Sequence, residues 1–442
     1  MYLVRNIDSE LEIWKDSDQR KPLLLRGARQ VGKSSSVRNL AQKFEFFVEI
    51  NFEQNPKYGT IFESGLNPNE ICEQLSLVMN IPIIEGKTLL FFDEIQVCIP
   101  AISSLRYFYE KMPKLHVIAA GSLLEFALSE IPSFGVGRIR SLFMYPFSFN
   151  EFLKANKEHS LINVLEKASP QNGMPEILHQ KLKIYLKKFL VIGGMPEAVS
   201  HYVSNGDMLT IQRVLDDLII SIEADFAKYK AKVPTQRIRE VFNAVVSQVG
   251  NKFSYSYTNA TLNHNQIKQA LELLVMAGLV LPVTHSASNG IPLGAEINPK
   301  KRKFLIFDTG IFQRILGLNI GEIFIEEDFD VINKGSIAEL FVGLELIKNF
   351  SVYQKCDLYY WQREALGSQA EVDFVIQKQD NIIPIEVKAG TKGTMQSLYL
   401  FLKEKNAACG IRVSLENFSR IDKVNIFPLY AVKNILNYNP VS

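Results

Sequence analysis

The sequence predicts an α/β protein built from a parallel sheet in its N-terminal third, a helical middle and a second α/β unit at its C-terminal end. Three observations lead to this fold class. A chain of 442 residues is too long for one hydrophobic core. Short apolar runs alternate with helix-like segments in the first third. Helical periodicity then gives way to strand-like segments that carry acidic residues.

The composition limits the function classes that need to be considered. With 47% hydrophobic and 22% charged residues, the chain resembles a folded globular protein. A net charge of +2 argues against a protein whose whole surface coats nucleic acid, although a local basic face is still allowed. The four cysteines form no CxxC pair, so we expect reduced core residues. No secretion signal or membrane span is indicated, and we expect a cytoplasmic protein without a membrane partner.

The first predicted strand ends in a phosphate-binding loop. Four apolar runs are the predicted strands of the N-terminal sheet: Pro22 to Leu25, Phe46 to Ile50, Thr88 to Phe92 and Leu115 to Ala120. The first is followed by a full GxxxxGK[ST] motif, and a helix-compatible segment that includes Ser35 comes next. The motif consists of Gly27, Ala28, Arg29, Gln30, Val31, Gly32, Lys33 and Ser34. Its glycines let backbone N–H groups surround phosphate, Lys33 would reach the β and γ phosphates of ATP, and Ser34 would ligate Mg²⁺.

Acidic and polar residues follow two other predicted strands of the same sheet. Asp93 and Glu94 end the third run, at the edge where ligands bind in open α/β folds. Asp93 would hold Mg²⁺, and Glu94 would polarise the attacking water. Ser122 follows the fourth run and is our candidate for sensing the γ-phosphate. Arg138, flanked by glycine, could stabilise the transition state from the same or a neighbouring subunit, or could be an ordinary surface arginine.

Several segments resemble a known family. The segments LLLRGARQVGKSS, LLFFDEIQ, VIAAGS and GRIRSLFMYPFSFNEFL resemble the AAA+ ATP-binding proteins of prokaryotes that carry a C-terminal domain of unknown function. The segments YLKKFLVIGGMPEAV and KFLIFDTGIF extend the resemblance over nearly the whole chain. The resemblance implies ATP and Mg²⁺ as ligands, and it implies that Gln96 belongs to the active site.

The middle of the chain is predicted to form a helical lid or linker followed by a winged helix. Residues 181–229 show helical periodicity punctuated by Gly193, Gly194 and Pro196. Two helix patterns and a hairpin follow, which is typical of a winged helix. The second helix offers His264, Gln266, Lys268 and Gln269, and the basic run from Lys300 to Lys303 lies at the wing. This face could contact DNA, but its few basic residues favour protein packing instead.

The C-terminal third carries a spaced set of acids and a lysine. Glu339 lies in a predicted helix, Asp373 in a predicted strand, and Glu386 with Lys388 in the next strand, where they share one face. The set resembles the core of PD-(D/E)XK nucleases, although the QxxxY helix motif of some relatives is not cleanly present. The resemblance implies a metal held by Glu339, Asp373 and Glu386, assisted by Lys388. Ordinary cross-strand ion pairs are the alternative.

Taken together, these patterns predict four domains. A P-loop ATPase domain of the AAA+ type covers residues 1–150, a helical lid or linker 151–230, a winged-helix-like domain 231–325 and a nuclease-like domain 326–442. The predicted function is Mg²⁺-dependent ATP hydrolysis coupled to the nuclease-like domain, which could act on DNA. Two alternatives are open: a slow nucleotide switch that docks a protein partner, and a DNA endonuclease with an auxiliary ATPase. The ATPase could also form an oligomer.

Overall fold

The computed structural model describes residues 2–129, 131, 137–229, 233–257, 262–319, 334–365, 367, 369–390 and 393–438. These residues form two compact units. The first consists of Met1–Tyr145, Met276–Gly278 and Ser351–Lys355. The second consists of Pro146–Val275, Leu279–Phe350 and Cys356–Ser442.

The first unit is built on a parallel sheet, as the alternation of apolar runs predicts. Its strands are β1 (Leu23–Arg26), β2 (Phe46–Asn51), β3 (Thr88–Asp93), β4 (His116–Ala120) and β5 (Arg140–Phe143). They lie in the order β2-β3-β4-β1-β5. Every residue of β3 and β4 is buried, because helices cover both faces of a parallel sheet. The helices are α1 (Asn6–Lys15), α2 (Lys33–Ala41), α3 (Gly59–Glu63), α4 (Pro68–Met79), α5 (Ile99–Lys111) and α6 (Leu124–Ser129).

The register of this sheet distinguishes its two edges. Leu23, the first residue of β1, pairs with Arg140 at the start of β5, and Arg26 pairs with Phe143. On the other side, β3 joins β2 and β4 in parallel. The loops after β1, β3 and β4 therefore leave from the same, carboxyl edge. This edge collects the three sequence segments that carry the predicted nucleotide-binding residues.

The second unit begins with a helical layer. Its helices are α7 (Phe149–Ala155), α8 (His159–Lys167), α9 (Glu176–Ile192), α10 (Pro196–Asn205), α11 (Met208–Asp225), α12 (Thr235–Ser247), α13 (His264–Met276) and α14 (Thr309–Ile315). The buried Asp308 links two motifs of the sequence, since its carboxylate accepts from the backbone N–H groups of Gly194 and Ile311. A side chain at Gly193 would meet Asp308, and one at Gly310 would meet the Ile192 carbonyl, so both positions need glycine.

An eight-stranded mixed sheet forms the rest of the second unit. Its strands are β6 (Val280–Ser286), β7 (Ile297–Ile306), β8 (Leu358–Gln362), β9 (Glu371–Lys378), β10 (Asn381–Val387), β11 (Gly410–Ser414), β12 (Ser419–Ile421) and β13 (Val424–Pro428). They lie in the order β12-β13-β11-β10-β9-β8-β6-β7. Helices α15 (Lys334–Lys348), α16 (Gln396–Glu404) and α17 (Val432–Asn437) accompany it.

The hairpin that the sequence assigns to a wing belongs to this large sheet. Strands β6 and β7 pair antiparallel as predicted, but β6 also pairs in parallel with β8. Among the described residues before the hairpin, helices α12 and α13 are joined through a short 3₁₀ turn, Tyr255–Tyr257. The hairpin is therefore not a free wing, because its inner strand is hydrogen-bonded to the C-terminal strands. The domain boundary expected after residue 325 lies outside the described residues.

The sequence analysis also made predictions about the four cysteines and about membrane spans. Cys72, Cys98 and Cys409 are buried, Cys356 is half-buried, and all four are free. Within the described ranges, no helix combines the length and the apolar character that crossing a bilayer requires.

Candidate functional site

The loop after β1 has the backbone conformation of a phosphate cradle. Gly27 adopts φ +146°, and a Cβ there would lie 2.1 Å from the Met144 carbonyl oxygen, so a side chain is excluded. Gln30 and Gly32 also have positive φ, at 61° and 98°. Helix α2 begins directly after Gly32. The backbone N–H groups in the first turn of α2 therefore point into the loop. Ser35, included in the predicted set, is exposed in the first turn of this helix.

Lys33 turns back into its own loop. Its Nζ donates to the carbonyl oxygens of Gly27 at 2.9 Å and Ala28 at 2.7 Å. The side chain is buried, and this burial lowers the pKa of Lys33 to about 8, although the charges of Glu94 and Asp93 act in the opposite direction. A buried ammonium hydrogen-bonded to neutral carbonyls is a group that a bound anion would stabilise. Arg29, also in the loop, lies 3.6 Å from Glu53.

Ser34 and Asp93 meet at the centre of the carboxyl edge. The Ser34 hydroxyl lies 3.0 Å from both carboxylate oxygens of Asp93. Burial raises the pKa of Asp93. A hydroxyl and a carboxylate at this distance are hard oxygen donors of the kind that Mg²⁺ prefers, so the residues present fit the ion that the fold implies. The sequence analysis missed Asn51, whose Nδ2 donates to Asp93 at 3.2 Å.

Glu94 lies beside Ser122, the predicted γ-phosphate sensor, and beside Gln96, which the family resemblance assigns to the active site. Gln96 Nε2 donates to Glu94 Oε2 at 2.6 Å, and the Ser122 hydroxyl lies 3.4 Å from the same oxygen. Glu94 itself adopts a left-handed conformation, with φ 49°. The side-chain amide oxygen of Gln96 packs against Gly121, where a Cβ would approach it to 2.0 Å, and this buried oxygen has no hydrogen-bond partner among the described residues. The structure thus brings together Glu94, Gln96 and Ser122, which sequence reasoning assigned separately.

The N-terminal segment supports the P-loop in a way that the sequence analysis missed. Arg5 is buried, and its guanidinium donates to the Val31 carbonyl at 2.8 Å and to the Tyr145 carbonyl at 2.7 Å. Its backbone N–H donates to Asp8 at 2.8 Å. The only signal in the sequence is an arginine that follows the apolar residues Leu3 and Val4 just before a helix. Arg5 therefore connects α1 to the nucleotide loop.

Arg138 does not lie at the edge that carries the P-loop. It precedes β5, whose first residue, Arg140, pairs with Leu23 at the start of β1. The P-loop follows the opposite end of β1. Arg138 instead forms an ion pair with Glu110, which lies in the last turn of α5. The register therefore disfavours contact with phosphate inside one chain, and the role between neighbouring subunits stays a prediction. Two residues of its glycine-flanked segment, Gly135 and Val136, lie outside the described residues.

In the second unit, the predicted C-terminal acids converge on a lysine. Lys303 Nζ lies 2.9 Å from Glu339, 2.5 Å from Glu371 and 3.9 Å from Asp373. The sequence analysis placed Lys303 in a basic run at the wing. Burial raises the pKa of Glu339 to about 8 and also raises the pKa of Asp373. The part of the chain that the structure describes contains no group of three or more His, Cys, Asp or Glu residues arranged to hold a metal ion.

Glu386 and Lys388 form a neighbouring pair. Lys388 Nζ lies 2.6 Å from Glu386 Oε1. The antiparallel register, in which Ile385 pairs with Phe374, brings Glu386 beside Asp373 as expected. The Val387 backbone N–H donates to Asp373 at 2.8 Å. The acids thus share one region. Three of them, Glu339, Glu371 and Asp373, surround the ammonium of Lys303 rather than a space for a metal ion.

The proposed nucleic-acid face of α13 is exposed but sparsely charged. His264, Lys268 and Gln269 are exposed, while Gln266 is half-buried and accepts a hydrogen bond from the Asn263 backbone N–H. Lys268 lies 3.8 Å from Glu272 of the same helix. Lys268 is the one lysine or arginine of α13.

Three segments of the chain match known family models. Residues 19–153 match the model described as an AAA domain. Residues 183–320 match a domain of unknown function (DUF8612), and residues 334–432 match another (DUF4143). No curated protein matches the chain. The N-terminal part of the chain is thus similar to an AAA domain.

The solved structures that match the chain include a Walker-type ATPase and a branch migration motor. The Walker-type ATPase PABY2304 of Pyrococcus abyssi is 16% identical, with a TM-score of 0.46, and the match covers 72% of this chain and 96% of that one. The RuvB Holliday junction branch migration motor of Thermotoga maritima is 14% identical, with a TM-score of 0.31 and coverages of 70% and 94%. Nothing about the chemistry of this chain follows from similarity at this level.

Proposed function

We propose that this protein binds Mg²⁺ and ATP at the carboxyl edge of its N-terminal sheet and hydrolyses the nucleotide. The observation that carries the proposal is the contact of Ser34 with both oxygens of Asp93 at 3.0 Å, beside the buried ammonium of Lys33. A phosphate cradle, a cation and a carboxylate from separate segments converge at one place. This combination is needed for a nucleoside triphosphate and has no evident structural purpose.

Binding depends on exchanging partners within the loop. The carbonyls that now hold Lys33 would release its ammonium to the β and γ phosphates, which carry far more negative charge. Backbone N–H groups of the loop and of the first turn of α2 would donate to the same phosphates. Ser34 and Asp93 would hold Mg²⁺, which neutralises charge on the triphosphate when it is bound.

Hydrolysis depends on Glu94. Its carboxylate follows the buried strand β3 and lies at the same edge as Lys33. Since Gln96 and Ser122 both lie against Oε2, the other oxygen, Oε1, is the one suited to accept a proton from the attacking water. The left-handed backbone of Glu94 turns the carboxylate away from the direction of the strand.

Two substitutions test the proposal because they produce different defects. Lys33→Ala removes the cation that faces the phosphates, so we expect loss of ATP binding. Glu94→Gln keeps the shape but cannot accept a proton, so we expect ATP binding without turnover. Equilibrium nucleotide binding and phosphate release are measured on the same preparations. Hydrolysis at the parental rate by Glu94→Gln would show that Glu94 is not the base.

A slow nucleotide switch is the second candidate, and one contact favours it. The short hydrogen bond from Gln96 restrains the carboxylate of Glu94, the proposed base. If this bond persists with ATP present, turnover would be slow, and a protein partner would respond to the bound state. Steady-state phosphate release separates the two candidates, since a switch would release less than about one phosphate per chain over the lifetime of its complex.

For the second unit we propose the nuclease-like and winged-helix assignments as hypotheses about its fold and not about its activity. The antiparallel β9–β10 pair with Asp373, Glu386 and Lys388 supports the first, and helices α12 and α13 with the β6–β7 hairpin support the second. Lys303 argues against metal-dependent cleavage. We therefore expect supercoiled plasmid DNA to remain intact in Mg²⁺ or Mn²⁺, and the DNA endonuclease alternative would be restored by nicking that Asp373→Ala abolishes.

A further inference from the structure

The carboxylate cluster of the second unit is defined by Glu339, Glu371, Asp373 and the lysine among them. We propose that the ammonium of Lys303 takes the place of a divalent cation in this cluster. The unaltered protein then holds no metal ion there, and the cluster becomes a metal site only when the lysine is removed. The inference concerns a site separate from the ATP-binding edge and does not depend on ATP hydrolysis.

Lys303 is packed in the interior of the second unit. Its side chain is only 1% exposed, so it has no route to swing into solvent without opening the unit. Strand β7 is separated from β9 by β6 and β8 in the sheet, and the side chains of Lys303 and of the acids on β9 extend toward each other over these two strands. On the way its ammonium lies 5.3 Å from the ring centroid of Tyr360, which is fully buried in β8. An ion from solution would have to displace a packed side chain.

The charges of the cluster fit an ammonium better than they fit a divalent ion. Three carboxylates lie around the Lys303 ammonium, with Glu371 at 2.5 Å, Glu339 at 2.9 Å and Asp373 at 3.9 Å. Opposite charges this close favour the charged form of the lysine. An ammonium has three N–H donors, so one lysine can serve all three acids without a metal ion.

The donors that a metal ion would need are nevertheless in place. Glu386 is buried. In the part of the chain that the structure describes, its Oε2 has no hydrogen-bond partner, while its Oε1 accepts from Lys388. One oxygen of Asp373 accepts from the Val387 backbone N–H, which leaves the other toward Lys303. Removing the Lys303 ammonium would leave Glu339, Glu371 and Asp373 without the cation that they surround, while Lys388 stays beside Glu386. A divalent cation could then bind these hard oxygen donors and replace the lost charge.

The test is a gain of metal binding. Lys303→Met keeps the length and apolar stem of the side chain but removes its charge. Isothermal titration of the full chain with Mn²⁺, without nucleotide, should show no uptake at this cluster in the unaltered protein. The Lys303→Met variant should take up one equivalent. That uptake should disappear when Asp373→Asn is added, and it should survive Asp93→Asn, which alters only the nucleotide edge.

Lys301→Met is the matched control. Lys301 lies on the same strand, but it is partly exposed and pairs with Glu364 at 2.7 Å. Loss of this ammonium should not create a metal site, so the control should behave like the unaltered protein.

Two results with folded proteins would overturn the proposal. One is Mn²⁺ uptake by the unaltered protein that Asp373→Asn removes, because the lysine would then not exclude the ion. The other is a folded Lys303→Met variant that takes up no metal. If Lys303→Met does not fold on its own, millimolar Mn²⁺ should restore its far-ultraviolet circular dichroism, and should fail to restore that of Lys303→Met with Asp373→Asn. Failure of Mn²⁺ to restore the single variant would equally reject the idea.

Discussion

Raising the pH from 7 to 9 should weaken ATP binding about tenfold through Lys33. Burial lowers the pKa of this lysine to about 8 in the nucleotide-free protein. At pH 7 about nine tenths of the molecules carry the ammonium, and at pH 9 about one tenth do. The complex retains the proton because the triphosphate faces it. Above pH 8, binding therefore takes up a proton, and the affinity falls by about tenfold, or about 1.4 kcal/mol, per pH unit.

The assay is equilibrium binding of a non-hydrolysable ATP analogue with Mg²⁺ between pH 6.5 and 9.5 at constant ionic strength. The unaltered protein is needed, because the charge of Glu94 itself raises the pKa of Lys33. Lys33→Met is the control: it should bind weakly at pH 7 and lose no further affinity at pH 9. A level profile for the unaltered protein up to pH 9.5 would refute the reasoning, and so would a parallel fall in the control.

Three further predictions concern residues around the nucleotide edge. Gly121→Ala should push Gln96 away from Glu94 and lower kcat with little change in KM, as steady-state kinetics would show. A higher kcat would mean that the Gln96 amide restrains Glu94, and it would favour the switch. Arg5→Ala should lower the free energy of unfolding by about 3 kcal/mol, because two carbonyls lose charged donors, and an unchanged urea midpoint would contradict this. Arg138→Ala should leave hydrolysis within about twofold in dilute solution, where only contacts inside one chain act; a large loss there would restore the in-chain role.

Local signals in the sequence predicted much of the nucleotide edge. The apolar runs correspond to β1 to β4 within a residue or two, since strands buried on both faces need continuous apolar character. The P-loop and the acids after β3 were assigned from the chemistry that phosphate and Mg²⁺ require. These features depend on neighbours in sequence, and a single sequence can reveal them.

The features that could not be predicted depend on contacts between distant segments. Arg5 reaches Tyr145, and nothing near either residue in the sequence indicates the other. Arg138 could not be assigned to an edge without the register of β5 against β1. Lys303 stands last in the run KKRK, which looks solvated, and only its position just before the apolar FLIF segment hints that it is buried.

The joining of the β6–β7 hairpin to β8 has a consequence for how the second unit folds. Val283 and Leu358 pair in parallel although α14 and α15 lie between them in the chain. Closing so long a loop costs chain entropy before any contact repays it, so this pairing should form late and slowly. Lys303 reaches the acids of β9 only after it has formed. A fragment that starts after the hairpin would leave those acids without their ammonium, and we expect the unit to unfold in a single cooperative transition.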